Sequence, residues 1–179
     1  MQVDVIIPVY KPTEKLNELL KKITTQTYRV NCIFLLHTQD GCDLSWAKEV
    51  SSTIQVEEIP IEKEHFDHGA TRDLGIQISE AEVTILMTQD AVPANEKLVE
   101  NLVKALEQEP QIAAAYARQI SDKTCNEIEG YTRQFNYPPK SVMKSKEDVP
   151  RLGVKTYFCS NVCAAYKKDI YQKLGGFEK

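Results

Sequence analysis

Apolar residues in this chain follow two alternating rhythms: short unbroken runs, and stripes spaced three and four residues apart. Short runs bounded by turn formers suit strands buried on both faces, and the stripes suit amphipathic helices. The first run, Val3-Asp4-Val5-Ile6-Ile7-Pro8-Val9-Tyr10, is rich in β-branched residues and predicts a central strand running into a loop. After Lys11-Pro12, Thr13 stands at a helix-cap position, and Leu16, Leu19, Leu20 and Ile23 fall at i, i+3, i+4 and i+7. Residues 32–36 predict a second strand, broken by the polar turn His37-Thr38-Gln39-Asp40-Gly41. A short helix over 46–50 and a third strand over 54–59 follow, with Pro60 as the strand's stop.

In the middle of the chain, Ala70, Leu74 and Ile78 recur every four residues and predict one face of a helix. The apolar run from Val83 to Met87 then predicts a buried strand that stops at Thr88-Gln89-Asp90. Leu98, Leu102, Val103 and Leu106 mark the next helix, ended by Pro110, and residues 112–116 form a strand of small residues. From 121 to 155 the periodicity fades into a long excursion, which in a compact domain is a functional loop or a disordered one. Order returns with a strand over 157–166 and a helix over 168–174, with Gly175 or Gly176 as its C-cap. The β-α alternation predicts an α/β fold, a mostly parallel Rossmann-like sheet with helices on both faces and right-handed crossovers.

Composition narrows the class. With 179 residues the chain fits a single domain (1–179), and 42% apolar with 27% charged residues is ordinary for a globular protein. A formal net charge of -4 without a basic stripe argues against nucleic acid as a partner. No run approaches the length of a transmembrane helix, and no leader pattern opens the chain. A cytoplasmic protein is expected, with peripheral contact at the inner face of a membrane left open. Cys32, Cys42, Cys125, Cys159 and Cys163 are odd in number and lack a CxxC pair, so buried free thiols are expected rather than disulfides or a zinc site.

Two stretches carry candidate chemistry. Thr88, Gln89 and Asp90 stand at the carboxyl end of a predicted strand, where open α/β sheets bind ligands. A carboxylate there can hold Mg²⁺ or Mn²⁺ against a diphosphate; it can equally be an Asp that opens a turn. Around Gly69 the chain crowds His65, Asp67, His68, Arg72 and Asp73. The Arg72 guanidinium could grip a nucleobase carbonyl or a phosphate, or pair with Asp67 or Asp73 on a solvated face. His65 and His68 lack the further ligands of a zinc site.

Six ordered segments resemble the family 2 glycosyltransferases: Val5-Ile6-Ile7-Pro8-Val9-Tyr10, His68-Gly69-Ala70-Thr71-Arg72-Asp73-Leu74-Gly75, Met87-Thr88-Gln89-Asp90-Ala91, Tyr116-Ala117-Arg118-Gln119, Ser160-Asn161-Val162-Cys163-Ala164-Ala165-Tyr166 and Gly175-Gly176-Phe177. The His-Gly-Ala-Thr-Arg and Thr-Gln-Asp-Ala elements are similar to the rhamnosyltransferase-like branch. The resemblance implies a GT-A fold, a nucleotide-diphosphate sugar donor, a divalent cation and inversion at the anomeric carbon. Carried over by residue, Pro8, Val9 and Tyr10 would line the nucleoside pocket and Arg72 would touch the base. Thr88-Gln89-Asp90 would take the place of the family's Asp-x-Asp, with Asp90 as metal ligand, and Arg118 and Asn161 would face the donor sugar or the acceptor. The acceptor would be a glycan or a lipid-linked glycan, the donor deoxythymidine-diphosphate rhamnose, and the setting polysaccharide assembly.

The departures are specific. His37 and Thr38 stand where relatives place an acidic residue against the base, Thr88 replaces the first Asp, and Asp73 replaces an Asn. After Gly-Gly-Phe the family presents a Glu-Asp element whose Asp is the catalytic base. Glu178 lies too close to Gly176 to match it, so the base is expected beyond Lys179 and the chain reads as a fragment of a longer protein. A non-catalytic nucleotide-sugar-binding module is the alternative. A nucleotidyltransferase would call for a glycine-rich loop after the first strand, and Pro8-Val9-Tyr10-Lys11-Pro12 has no glycine.

Overall fold

The structure is a computed structural model that describes residues 1–121 and 125–177, so Glu178 and Lys179 lie outside the described residues. In chain order the elements begin with β1 (Val3–Val9), α1 (Glu14–Thr24), β2 (Cys32–Thr38), β3 (Gln55–Ile61), α2 (His68–Ile78), β4 (Val83–Met87) and α3 (Leu98–Glu107). They continue with β5 (Ala114–Tyr116), α4 (Glu127–Asn136), α5 (Val149–Leu152), β6 (Cys163–Lys167) and α6 (Lys168–Lys173). Two compact units result: Met1–Tyr116 together with Asn161–Lys179, and Ala117–Ser160.

The first unit holds a six-stranded sheet in the order β3-β2-β1-β4-β6-β5. β1 pairs in parallel with β2 and β4, and β2 with β3, while β6 runs antiparallel to both β4 and β5. The central strands β1, β2 and β4 are buried along almost their whole length, as strands covered on both faces must be. Ile6, Phe34, Leu36 and Leu86 share one face with Ile76 of α2; Val5, Ile7, Ile33, Leu35 and Ile85 are buried on the other. The GT-A type of α/β sheet expected from the sequence is the one formed.

Several local expectations are corrected. β2 runs through His37 and Thr38, both buried, so the polar turn begins at Gln39. β3 runs through Pro60 to Ile61, because β3 pairs only with β2 and an edge strand tolerates a missing N–H. The stretch near Trp46 is a 3₁₀ turn, Ser45–Glu49. The strand expected over 157–166 begins only at Cys163. Thr13 is the N-cap of α1, yet its side chain makes no capping hydrogen bond; Leu16, Leu19, Leu20 and Ile23 are buried as the stripe predicts. In α3 the buried residues are Val99, Leu102, Val103 and Leu106, with Leu98 only partly covered.

The face of α2 differs most. Leu74 is exposed, and the helix buries Thr71, Asp73, Gly75 and Ile76 instead. A Cβ at position 75 would lie 2.4 Å from Ile6 Cγ2 and 3.0 Å from Leu36 Cδ1, so the helix rests on β1 and β2 through bare backbone. The hidden Asp73 accepts hydrogen bonds from the Tyr171 hydroxyl and, at 3.3 Å, from Phe177 N. Gly176, at φ +81°, brings its Cβ position within 2.9 Å of Asp73 Oδ1, which ties the Gly-Gly-Phe turn to α2. Burial and the neighbouring Asp73 both push the Tyr171 phenol above its usual pKa.

The second unit turns the expected loop into short helices. Asn126 caps α4 by accepting from Glu129 N at 2.8 Å. The Gln119 amide donates to the hydroxyls of Tyr137 at 2.6 Å and Ser160 at 3.1 Å, and Tyr137 packs edge-on against Phe158. Ile128, Tyr131 and Phe135 of α4 are exposed, with Lys155 Nζ 3.3 Å from the centre of the Phe135 ring. The cysteines divide unlike the expectation: Cys32 and Cys163 are buried, with burial pushing both thiols up to about 12, whereas Cys42 and Cys159 are exposed.

Candidate functional site

The strand order fixes where a ligand can enter. From β1 the chain builds outward to β2 and β3 on one side, then crosses to β4 on the other, so the direction of winding reverses between β1 and β4. The crevice beyond the carboxyl ends of two such strands is where open α/β sheets bind ligands. β1 and β4 are in register only from Val3↔Val83 to Ile6↔Leu86. Beyond that point stand Pro8, Val9 and Tyr10 at the end of β1, and Thr88, Gln89 and Asp90 at the end of β4.

Gln89 links the two ends. Its Oε1 accepts from Tyr10 N at 3.0 Å and its Nε2 donates to Tyr10 O at 2.9 Å, so the amide engages both polar groups of one residue. On the other side of β4, Thr88 N donates to Val162 O at 3.1 Å, which sets Asn161 and Val162 beside the Thr88-Gln89-Asp90 end. Asn161 Oδ1 accepts from the Tyr166 hydroxyl at 2.6 Å. The Asp90 side chain is exposed, and no hydrogen bond or ion pair among the described residues engages its carboxylate.

At the end of β2, His37 is buried between two carboxylates. Its Nδ1 lies 2.7 Å from Glu58 Oε1 and its Nε2 3.1 Å from Asp40 Oδ1. Asp40 Oδ1 also accepts from Cys42 N at 2.8 Å, and Asp40 Oδ2 from Lys11 N. Burial disfavours the charged imidazole, but hydrogen bonds to Glu58 and Asp40 outweigh it and raise the His37 pKa above its ordinary value. Burial likewise acts against the Asp40 carboxylate, and the N–H groups of Cys42 and Lys11 with the His37 contact hold its pKa well below the usual range. Neither Asp40 nor Glu58 was among the residues expected from the sequence. Asp40-Gly41 reads only as a turn there, and Glu58 as a polar position in a strand.

The sign of the resulting pH dependence is fixed. A folded-state pKa raised above about 6.5 contributes stability in full below that value, and the contribution is lost as pH rises through the folded pKa. The urea midpoint of the parent should therefore exceed that of His37→Gln by an amount equivalent to roughly 1–2 kcal/mol near pH 6, where both ring nitrogens donate. That advantage should shrink progressively above pH 6.5. A constant difference from pH 6 to 9 would refute the assignment of a charged His37.

Arg72, half-buried on α2, donates from Nη1 to His68 O at 2.8 Å, and its Nε is buried without a partner among the described residues. The two acids that could have paired with it are engaged elsewhere. Asp67 caps α2 by accepting from Gly69 N at 2.8 Å and Ala70 N at 2.7 Å, and Asp73 holds the Tyr171 and Phe177 contacts. Burial lowers the Arg72 pKa, with the Tyr166 phenol acting in the opposite sense, and guanidinium stays charged at any physiological pH. Arg118 is exposed and belongs to the unit Ala117–Ser160.

No group of three His, Cys, Asp or Glu side chains among the described residues could hold a metal ion by itself. The exposed Asp90 carboxylate at the carboxyl end of β4 would nonetheless suit Mg²⁺ or Mn²⁺, because such ions keep waters and take much of their coordination from substrate phosphates. The donor set suits a cation that arrives with a diphosphate and does not suit a resident ion. No helix among the described residues is long and apolar enough to cross a membrane.

The chain is 34% identical over 178 residues to the O-antigen chain rhamnosyltransferase RfbN of Salmonella typhimurium, covering 99% of this chain and 56% of the relative. It is 30% identical over 174 residues to the O-antigen chain rhamnosyltransferase WbaN of Salmonella anatum, covering 96% of this chain and 54% of the relative. The chain thus spans about half the length of the curated relatives it matches. Among solved structures, the Pyrobaculum calidifontis mannosyltransferase PcManGT in complex with GDP-Man and Mn²⁺ superposes with a TM-score of 0.70 at 17% identity, over 99% of this chain and 47% of that one. TarS of S. aureus superposes with a TM-score of 0.73 at 12% identity, over 99% of this chain and 30% of that one, and at such identities both likenesses speak for the fold alone. The sequence profile described as Glycosyl transferase family 2 matches residues 4–175, and with nearly the whole chain inside that match and rhamnosyltransferases among its relatives, the chain belongs to glycosyl transferase family 2.

Proposed function

We propose that this chain forms the donor-binding domain of an inverting glycosyltransferase that moves a sugar, rhamnose by preference, from a nucleoside diphosphate to a glycan or lipid-linked acceptor. The observation that carries the proposal is the unengaged carboxylate of Asp90 at the point where the strand order reverses, beside the clamped end of β1. In this reading Pro8, Val9 and Tyr10 form the nucleoside wall, and Arg72, free of carboxylate partners among the described residues, meets the base or a phosphate. Thr88 flanks the ribose and diphosphate. Asp90 would hold Mg²⁺ or Mn²⁺, whose charge would offset that of the departing diphosphate.

Asn161, fixed by the Tyr166 hydroxyl, is assigned to the sugar and acceptor side. Attack by the acceptor hydroxyl on C1 from the face opposite the diphosphate breaks the C1–O bond to that diphosphate and inverts the carbon, with the hydroxyl proton passing to a general base. We assign no general base among the described residues. A cytoplasmic location is part of the same proposal, as the compartment of nucleotide sugars.

Calorimetric titration of dTDP, UDP and GDP into the purified chain, with Mn²⁺ and with a chelator, tests the donor site. Binding of at least one nucleotide that strengthens with Mn²⁺ is the expected result, and Mn²⁺ without nucleotide should bind far more weakly. No binding of any of the three would remove the donor site.

A further inference from the structure

Resting on the donor-site reading, we infer that Gln89 and the His37–Asp40 pair are positioning residues that clamp the Tyr10–Lys11 backbone from both neighbouring strands, and do not themselves contact the nucleotide. The two clamps meet on one peptide group, the Tyr10 carbonyl held by Gln89 and the Lys11 N–H held by Asp40. Gln89, 79 residues away in sequence, satisfies both the N–H and the carbonyl of Tyr10. Asp40 accepts the next N–H, that of Lys11.

The clamped dipeptide requires holding. Lys11, at φ +45°, is the one non-glycine residue of positive φ among the described residues, a backbone state that L-residues rarely adopt without support. Register between β1 and β4 ends at Ile6↔Leu86, and that between β1 and β2 at Val9↔His37, so no ladder hydrogen bond fixes Tyr10 or Lys11. Yet the Tyr10 ring, 38% exposed with Lys11 Nζ 5.4 Å from its centre, is aromatic surface left open just past the end of β1.

The clamping side chains have little left for a ligand. Both functional atoms of the Gln89 amide are engaged, and so are both ring nitrogens of His37. The Asp40 side chain is 1% exposed, and its two oxygens accept from two backbone N–H groups as well as His37. Binding that meets a platform already fixed avoids the cost of ordering it, which is how remote side chains raise affinity without touching a ligand.

The test compares Gln89→Met, Gln89→Asn and Asp40→Asn with the parent. Three readouts are needed: affinity for whichever of dTDP, UDP or GDP the parent binds with Mn²⁺, thermal midpoint, and amide hydrogen exchange at Tyr10 and Lys11. Gln89→Met keeps side-chain volume but removes both hydrogen bonds, and Gln89→Asn keeps the amide on too short a stem. Each Gln89 variant should bind roughly tenfold more weakly. The Tyr10 amide should exchange faster with the thermal midpoint nearly unchanged in the Gln89 variants, and Asp40→Asn should speed exchange at Lys11 while lowering the midpoint by the few degrees that loss of the charged His37 contact implies. The pair Gln89→Met with Asp40→Asn should lose less than the product of the single losses, since both release one platform.

Parent-like affinity and exchange in the Gln89 variants would overturn the inference, as would affinity loss in them that follows a falling thermal midpoint. Weaker binding with unchanged Tyr10 exchange would also overturn it and would assign Gln89 a direct contact. A parent that binds no nucleotide would overturn the donor site, and any positioning role within it, while the exchange data would still report whether the clamp exists.

Discussion

Asp90→Ala is expected to abolish the enhancement of nucleotide binding by Mn²⁺ while leaving the fold intact. The carboxylate is exposed and unengaged among the described residues, so its removal strands no buried partner and should change stability by no more than about 0.5 kcal/mol. Its loss should show instead where a cation joins protein to diphosphate. A charge-assisted contact is worth roughly 1.5–3 kcal/mol, so affinity in Mn²⁺ should fall by about tenfold to a hundredfold. Affinity in chelator should match the parent. Because the described residues offer so few ligands of their own, the coupling between metal and nucleotide should be large, and by linkage each should strengthen the binding of the other by the same factor. Full Mn²⁺ enhancement in the variant would show that Asp90 only ends a strand.

Gly75→Val should be the most destabilising single change in the first unit. Ile6 and Leu36, the side chains that a Cβ at position 75 meets at 2.4 and 3.0 Å, are both fully buried, so neither can swing into solvent. Overpacking of this kind costs about 1–3 kcal/mol per site, and the branched valine stands at the upper end or beyond it. At roughly 2–4 °C per kcal/mol for a chain of this size, the thermal midpoint should drop by about 10 °C. Gly75→Ala should cost less, because alanine recovers about 1 kcal/mol of helix propensity. Ile6→Leu, which removes the methyl nearest the new Cβ, should rescue part of the Gly75→Ala loss. The lifted helix also carries Arg72, so nucleotide affinity should fall with stability. A Gly75→Val protein as stable as the parent would mean that α2 does not rest on β1 through this glycine.

The parts of this fold that were legible share one feature: a single face or run decides them. The Leu16, Leu19, Leu20 and Ile23 stripe buries as read, and the Val83–Met87 run forms a strand with those bounds. Where the reading went astray, the deciding contact was invisible to hydrophobicity. The face of α2 was assigned by Leu74, but the helix docks through Gly75, which scores as nothing on an apolar scale. His37 looked like the start of a turn because an imidazole is polar. It sits inside β2 because Glu58, 21 residues on in β3, supplies the partner that its burial demands. Pro60 looked like a strand stop because sequence does not reveal that β3 lies at an edge.

Sequence by itself determined the element order outside residues 121–155, the α/β class, the family, and which residue types gather at strand ends. Local periodicity and turn chemistry act over a few residues, and six ordered motifs leave little room for another family. Only the tertiary structure decided which of those side chains are engaged in holding others and which are left open among the described residues. Gln89 and Asp90 are adjacent in sequence, yet one is bound to Tyr10 from 79 residues away and the other is left open. Asp73 became a buried anchor for Phe177 across 104 residues. Such pairings depend on the strand order β3-β2-β1-β4-β6-β5, which brings distant carboxyl ends side by side, and no local pattern encodes that adjacency.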